Sequence, residues 1–251
     1  SPGHTLAWAI FLAGFVQFFW ISFHCGKNGT WFYRPVLTFS KNVRLLLIRT
    51  LPVALGAGVY QVNLLIDTIL ASFLPEGSIS YLFFADRVNQ LPLGVVGIAV
   101  GTALLPLLSR QIRAGDKVAA QHSQNRAVEL SILLALPAAC ALFVMADPVI
   151  KVLFQRGEFG DLQASATAAA LAIFALGLPA YVLIKSLAPG FFGRGDTVTP
   201  VKIAAVAMIV NVILSLVLMG TYLHVGIAMA TTVSSWINAG VMAFILHKRG
   251  Y

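Results

Sequence analysis

Residues 79–108 read "ISYLFFADRVNQLPLGVVGIAVGTALLPLL". Apolar side chains fill this run, and its only acid and base, Asp86 and Arg87, stand side by side. The run exceeds the roughly 20 apolar residues that a membrane-spanning helix needs. On insertion scales an Arg or Asp at the helix centre costs about 2.5–3.5 kcal/mol. A charged pair at this depth therefore demands either a route to water or a function.

The rest of the chain agrees with the membrane reading. Of 251 residues, 59% are hydrophobic and 10% are charged, and the mean hydropathy is +0.86. A soluble domain carries about 25% charged residues, so this chain lacks the charge for a water-facing surface. The net charge of +8 suits anionic lipid better than nucleic acid, because basic residues collect on the cytoplasmic loops of membrane proteins. No nucleic-acid partner is expected. Cys25 and Cys140 stand alone, without metal-ligand or disulfide spacing. The start "SPGHTLAW" lacks the basic region and cleavage site of a signal peptide, and both ends read as cuts through a longer protein.

Working outward from residues 79–108, seven apolar segments can be drawn. They are Leu6–Phe23, Leu45–Leu74, Ile79–Leu108, Ala127–Leu153, Leu162–Leu187, Val201–Tyr222 and Val225–Leu246. The expected class is an all-α polytopic membrane protein. Of the 17 Lys and Arg, only Lys151 and Arg156 fall on one side, and Arg87 belongs to neither side's loops. The others, Lys185 among them, follow the first, third, fifth and seventh spans. By the positive-inside rule the chain starts outside and ends in the cytoplasm. The stretch 113–126 is polar and mildly helical, and reads either as lying at the interface or as a solvated connector. In "APGFFGRGDTVTPVK" (188–202), Thr199 before Pro200 predicts an N-cap and a helix start.

Polar residues inside the spans are the candidate sites. Asp67 shares a helix face with Asn63, four residues earlier. It serves either a helix contact or an ion or proton site. Asn211 and Ser215 share a face, and Thr231, Thr232, Ser234 and Ser235 crowd the last span. These read either as interhelical hydrogen bonding or as oxygen ligands for a small hard cation. Asp86 and Arg87 point about 100° apart on a helix and form no facing pair. Arg87 either snorkels to headgroups or reads an anion, since its planar fork binds phosphate bidentately. Asn89 and Gln90 extend the polar patch. Gly94, Gly97 and Gly101 allow close helix approach or an opening beside it.

Two long motifs now carry a resemblance. "LLIDTILASFLPEGSISYLFFADRVNQLPLGVVGIAVGTALLPLLSR" (64–110) and "LAPGFFGRGDTVTPVKIA" (187–204) resemble the MurJ (MviN) family of lipid II flippases. The resemblance implies the multidrug/oligosaccharidyl-lipid/polysaccharide exporter fold, in which two six-helix lobes face a central cavity. Residues 1–40 would hold the last helix of the first lobe and a cytoplasmic linker. Residues 41–251 would form the second lobe, giving about seven transmembrane helices here. The remainder of the first lobe would lie outside this sequence. The setting would be the bacterial cytoplasmic (inner) membrane, and the full-length protein would act as a monomer.

The same resemblance implies roles for individual residues. Arg87 would engage the lipid-linked pyrophosphate, with Asp86 and Gln90 beside it. Asp67, Asn211, the Ile227 carbonyl and Thr231 would match a sodium site. Ser215 stands where relatives have a second acid, so either Na⁺ or H⁺ is the expected coupling ion. No organic cofactor and no catalysis are implied. The expected activity is translocation of lipid II from the inner to the outer leaflet by alternating access. The alternatives are an exporter of another lipid-linked oligosaccharide, such as O-antigen or capsule precursor, or a membrane enzyme acting on polyprenyl phosphate. The enzyme would need clustered acids, and the acids here are scattered.

Overall fold

A computed structural model of the chain describes residues 2–27 and 41–250, and the elements within them are helical. Most of the expected cytoplasmic linker, residues 28–40 with Arg34, lies outside the described residues. The chain divides into two compact units, residues 1–47 and 48–251.

In the first unit, α1 (Pro2–Lys27) is apolar on every side. Phe11 sits between Trp8 and Phe15, with ring centroids 5.7 and 4.8 Å away. A helix with no polar face suits a membrane span.

The second unit takes in the later part of α2 (Lys41–Ser72), then α3 (Ser78–Pro92), a π-helical segment (Leu93–Ile98) and α4 (Ala99–Arg113). It continues with α5 (Lys117–Val144), α6 (Ala146–Phe154), α7 (Asp161–Phe192) and α8 (Val198–Lys248). Among the described residues, five helical stretches are long and apolar enough to cross a membrane, the last being Val198–Lys248. The expected span at Leu45–Leu74 falls within α2, whose shorter apolar part is Gln61–Ser72.

α7 forms the centre of this unit. Its buried face is rich in small residues, including Ala164, Ala168, Ala175, Gly177 and Ala180, which lets neighbouring helices approach closely. Ala85 and Val88 of α3, Ala146 and Ile150 of α6 and Ala228 of α8 pack on it.

α8 accounts for two of the expected spans. Its 51 residues would reach about 77 Å if straight, far beyond a hydrocarbon core of about 30 Å. Leu223 breaks it, with φ 51° and ψ −134°. The chain then doubles back so tightly that a Cβ on Gly226 would lie 2.6 Å from the Leu218 carbonyl. His224, in this turn, donates from Nε2 to the Ala166 carbonyl of α7 at 3.0 Å. At the other end of the hairpin, Arg249 pairs with Asp196 at 2.6 Å.

Residues 79–108 lie in one continuous helical stretch, Ser78–Arg113, as expected, with a π-helical segment inside it. Pro92 lacks an N–H, and the helix relaxes into the π segment directly after it. Both expectations for the glycines are met. Gly97 and Gly101 press against Lys185 of α7, where added Cβ atoms would lie 3.6 Å from its Cβ and 3.0 Å from its carbonyl oxygen. Gly94 faces open space.

Four boundaries differ from the sequence reading. The segment drawn as Ala127–Leu153 is split at Met145, because Pro148 favours the first turn of a new helix over the interior of an old one. The stretch 113–126 is helical from Lys117 onward, as expected, but it is tied to the fold and is not a free connector. Asp116 caps α5 by accepting from the Ala119 N–H at 2.9 Å. Gln124 is 3% exposed and donates to the Ser186 carbonyl of α7 at 2.8 Å. α8 begins at Val198, so Thr199 is not its cap. Instead the Asp196 carboxylate accepts from the Thr199 N–H at 2.9 Å. Finally, Lys185 is not a loop residue, since it lies inside α7, seven residues or about 10 Å before Phe192.

Candidate functional site

Two polar centres lie within the apolar body, and they are built differently. The first is local to α3. Arg87 Nη1 donates to Gln90 Oε1 at 3.3 Å, and Gln90 Nε2 donates to Asp86 Oδ2. The spacings i,i+3 and i,i+4 put these groups on adjoining faces of one helix. One amide thus connects an acid and a base that do not face each other. The guanidinium carbon sits 4.8 Å from the centre of the Phe83 ring, which steadies it by a cation–π contact. Arg87 is exposed, Asp86 and Gln90 are half-buried, and Asn89 is buried. The Asn89 Oδ1 has no hydrogen-bond partner.

This arrangement leaves most of a rigid five-donor fork available. A planar, permanently charged fork suits phosphate oxygens, which it can engage in pairs.

The second centre joins distant parts of the chain. Asn63 Nδ2 donates to Asp67 Oδ2 at 3.1 Å within α2. Asn211 Nδ2, from the first half of α8, donates to Asp67 Oδ1 at 2.9 Å and to Asn63 Oδ1 at 3.0 Å. From the second half of α8, the Thr231 hydroxyl lies 3.5 Å from Asp67 Oδ2 and 3.4 Å from Asn211 Oδ1. It also lies 3.0 Å from the Ile227 carbonyl. The tight turn at Gly226 makes this meeting possible, because it sets Ile227 and Thr231 beside the first half of α8.

The structure therefore brings together Asp67, Asn211, Ile227 and Thr231, which the sequence placed on three separate segments. Ser215 is fully buried one turn beyond Asn211, and its hydroxyl has no partner. Among the described residues no group of three His, Cys, Asp or Glu side chains could hold a metal. The available oxygens are one carboxylate, the amide oxygens of Asn63 and Asn211, one hydroxyl and one carbonyl. An all-oxygen set with a single negative charge suits a hard monovalent cation or a proton better than a divalent ion. In the present network the Asn211 NH₂ faces the carboxylate, so holding a cation would require its amide to turn.

Sequence reasoning did not single out Tyr181 of α7. Its hydroxyl is buried and makes no hydrogen bond of ordinary geometry, although the Thr232 and Ser235 hydroxyls are its neighbours. The available signal was Gly177, four residues earlier on the same face.

The family model and the curated relatives agree on one family. Residues 2–251 match the family model described as "Lipid II flippase MurJ". A curated relative from Rhizobium meliloti (strain 1021), "Probable lipid II flippase MurJ", is 46% identical over 253 residues. The match covers 100% of this chain and 47% of the relative. A solved structure described as "Lipid II flippase MurJ, inward closed conformation" superposes with a TM-score of 0.74 at 25% identity, covering 86% of this chain and 45% of that one. An outward-facing multidrug-resistance MATE family transporter of the MOP superfamily superposes at 0.73 with 20% identity, covering 84% of this chain and 48% of that one. That likeness shows the fold alone. The chain spans about half the length of the curated relatives it matches.

Proposed function

The chain belongs to the lipid II flippase MurJ family, and from that premise we propose that it forms half of a transporter for a lipid-linked pyrophosphate, lipid II. The complete protein moves this precursor across the cytoplasmic membrane for cell-wall synthesis, acting as a monomer whose other lobe supplies the facing wall of the cavity. It makes and breaks no bond. Residues 1–40 serve as the last helix of the first lobe and its linker, and residues 41–251 as the second lobe.

The observation that carries this reading is the free guanidinium fork of Arg87, held mid-helix by Gln90 and Phe83. Arg87 engages the pyrophosphate, and Gln90 links it to Asp86. The apolar tail of the substrate stays in lipid. The chain starts outside and ends in the cytoplasm. The Asp196–Arg249 pair supports that orientation, because it joins the α7–α8 turn to the basic end of α8.

The Asp67 cluster binds Na⁺ or a proton and biases the protein between inward-open and outward-open states. A ligand can do so only by binding one state more tightly. Asp67, Asn211, the Ile227 carbonyl and Thr231 supply oxygens, and the Ser215 hydroxyl lies one turn further along α8.

The test is complementation of cells depleted of their own flippase with the complete gene. Wild type is expected to restore growth, and Arg87→Ala is expected to fail while still reaching the membrane. Normal growth with Arg87→Ala would overturn the anion role.

A further inference from the structure

We propose that the Tyr181 hydroxyl is a positioning group that couples cation occupancy at Asp67 to the anion-reading state of Asp86, Gln90 and Arg87. This rests on the functional reading of those two centres given above.

Tyr181 stands on α7, the helix against which both α3 and α8 pack. Its ring folds back along the helix over Gly177. A Cβ on Gly177 would lie 2.8 Å from both the Tyr181 hydroxyl and its ring carbon, and 3.0 Å from Thr232 Oγ1. The missing side chain at Gly177 is therefore the slot that lets this hydroxyl reach α8. On the α8 side, Thr232 Oγ1 already donates to the Ile173 carbonyl at 3.0 Å. Ser235 Oγ donates to the Thr231 carbonyl at 2.7 Å. Thr231 is the residue whose own hydroxyl meets Asp67 and Asn211.

The Tyr181 hydroxyl thus stands one side chain away from the cation cluster. The helix that carries Tyr181 also packs against Ala85 and Val88 of α3, the helix that holds Asp86, Arg87 and Gln90. A buried hydroxyl without a partner is unfavourable, because it has given up water and gained no hydrogen bond in return. A small movement of α8 brings Ser235 or Thr232 into proper hydrogen-bonding geometry and removes that cost. Turning the Asn211 amide to hold a cation takes away the oxygen that the Thr231 hydroxyl faces, and Ser235 is tied to Thr231 through its bond to the Thr231 carbonyl. The satisfied and unsatisfied hydroxyl then distinguish two arrangements of α7 against α8, and α3 is packed on α7. Coupling needs such a two-state element that both sites bias.

The experiment uses the full-length protein in nanodiscs and a polyprenyl pyrophosphate as the probe. Its affinity is measured in sodium and again with choline in place of sodium, for wild type, Tyr181→Phe and Asp67→Asn. Wild type is expected to show a cation-dependent change of about fivefold or more, the lower end of typical coupling. Tyr181→Phe keeps the choline affinity within about twofold and the wild-type melting profile, but its sodium effect falls towards one. Ser235→Ala moves the same ratio by a smaller factor.

If Tyr181→Phe keeps the full sodium effect while Asp67→Asn loses it, the link is wrong and the cation site stands. If Asp67→Asn keeps the sodium effect, or wild type has none, the reading of the cluster fails and the link with it.

Discussion

The Asp67 cluster and the Arg87 centre are both polar islands in an apolar body, yet they are held in opposite ways. Asp67 accepts hydrogen bonds from its own helix and from the first half of α8, and the Thr231 hydroxyl reaches it from the second half. The hydrogen-bond and cation–π partners of Arg87 lie within a few residues of it on α3. The first centre gathers side chains from three helical segments and depends on tertiary packing. The second is open at Arg87 and needs little more than a helix. A small ion suits the first centre, where oxygens converge from several sides. A large anion with a lipid tail suits the open one, where a fork projects from one wall.

This contrast can be broken most forcefully at the α8 hairpin. Gly226→Val places side-chain atoms where the Leu218 backbone already lies. Overpacking commonly costs about 1–3 kcal/mol and sometimes more. Thermal unfolding of the full-length protein is expected to show a large fall in melting temperature. Protein that does fold is expected to keep pyrophosphate binding in choline and to lose the sodium effect. A wild-type melt would mean that the cluster does not rely on the close crossing.

A pair of single substitutions sharpens the contrast further. Asn211→Leu removes the donor that joins α8 to both Asp67 and Asn63, leaving a half-buried carboxylate short of partners. The expected cost is about 1–3 kcal/mol. Gln90→Leu breaks only contacts along one helix, which are worth about 0.2–0.5 kcal/mol each. Denaturation of the two variants under one condition should rank them in that order. Equal losses would show that the Arg87 centre is also held by the tertiary fold.

The smallest effect belongs to the Asp196–Arg249 pair, which serves as a control outside both centres. Burial would raise the Asp196 pKa, but hydrogen bonds from Thr199 and Arg249 outweigh it and hold the carboxyl at about 2. A depressed carboxyl pKa adds stability above the unfolded value of about 3.9. That contribution is lost as pH falls through about 2. Asp196→Asn should therefore lower stability by about 1 kcal/mol or less near neutral pH. Its difference from wild type should shrink between about pH 4 and pH 2. A difference that stays constant over this window would assign the loss to packing instead of charge.

The contrast also explains what the sequence could reveal. Arg87 and Gln90 were legible because their relation is local and helical spacing alone sets it. The pairing of Asn63 with Asp67 was visible for the same reason. Asn211, Ser215 and Thr231 were visible as polar residues in apolar spans. Their meeting, however, depends on the reversal at Leu223 and the close crossing at Gly226. Neither the turn geometry nor the backbone approach leaves a periodic mark. Gln124 was misplaced because "KVAAQHSQNR" looks solvated, whereas its amide fills a bond to the Ser186 carbonyl across a tertiary contact. The π segment and the α5–α6 break were hidden by unbroken hydrophobicity. Only Pro92 and Pro148 marked them.

The central claim is that Arg87 reads an anion with a fork its own helix leaves free. Its most direct measurement is the affinity of the full-length protein for a polyprenyl pyrophosphate, compared among wild type, Arg87→Lys and Arg87→Ala. Charge-assisted hydrogen bonds contribute about 1.5–3 kcal/mol. Arg87→Ala should therefore weaken binding by about tenfold or more, with Arg87→Lys in between because it keeps the charge but loses the fork. Wild-type affinity in Arg87→Ala would contradict the account.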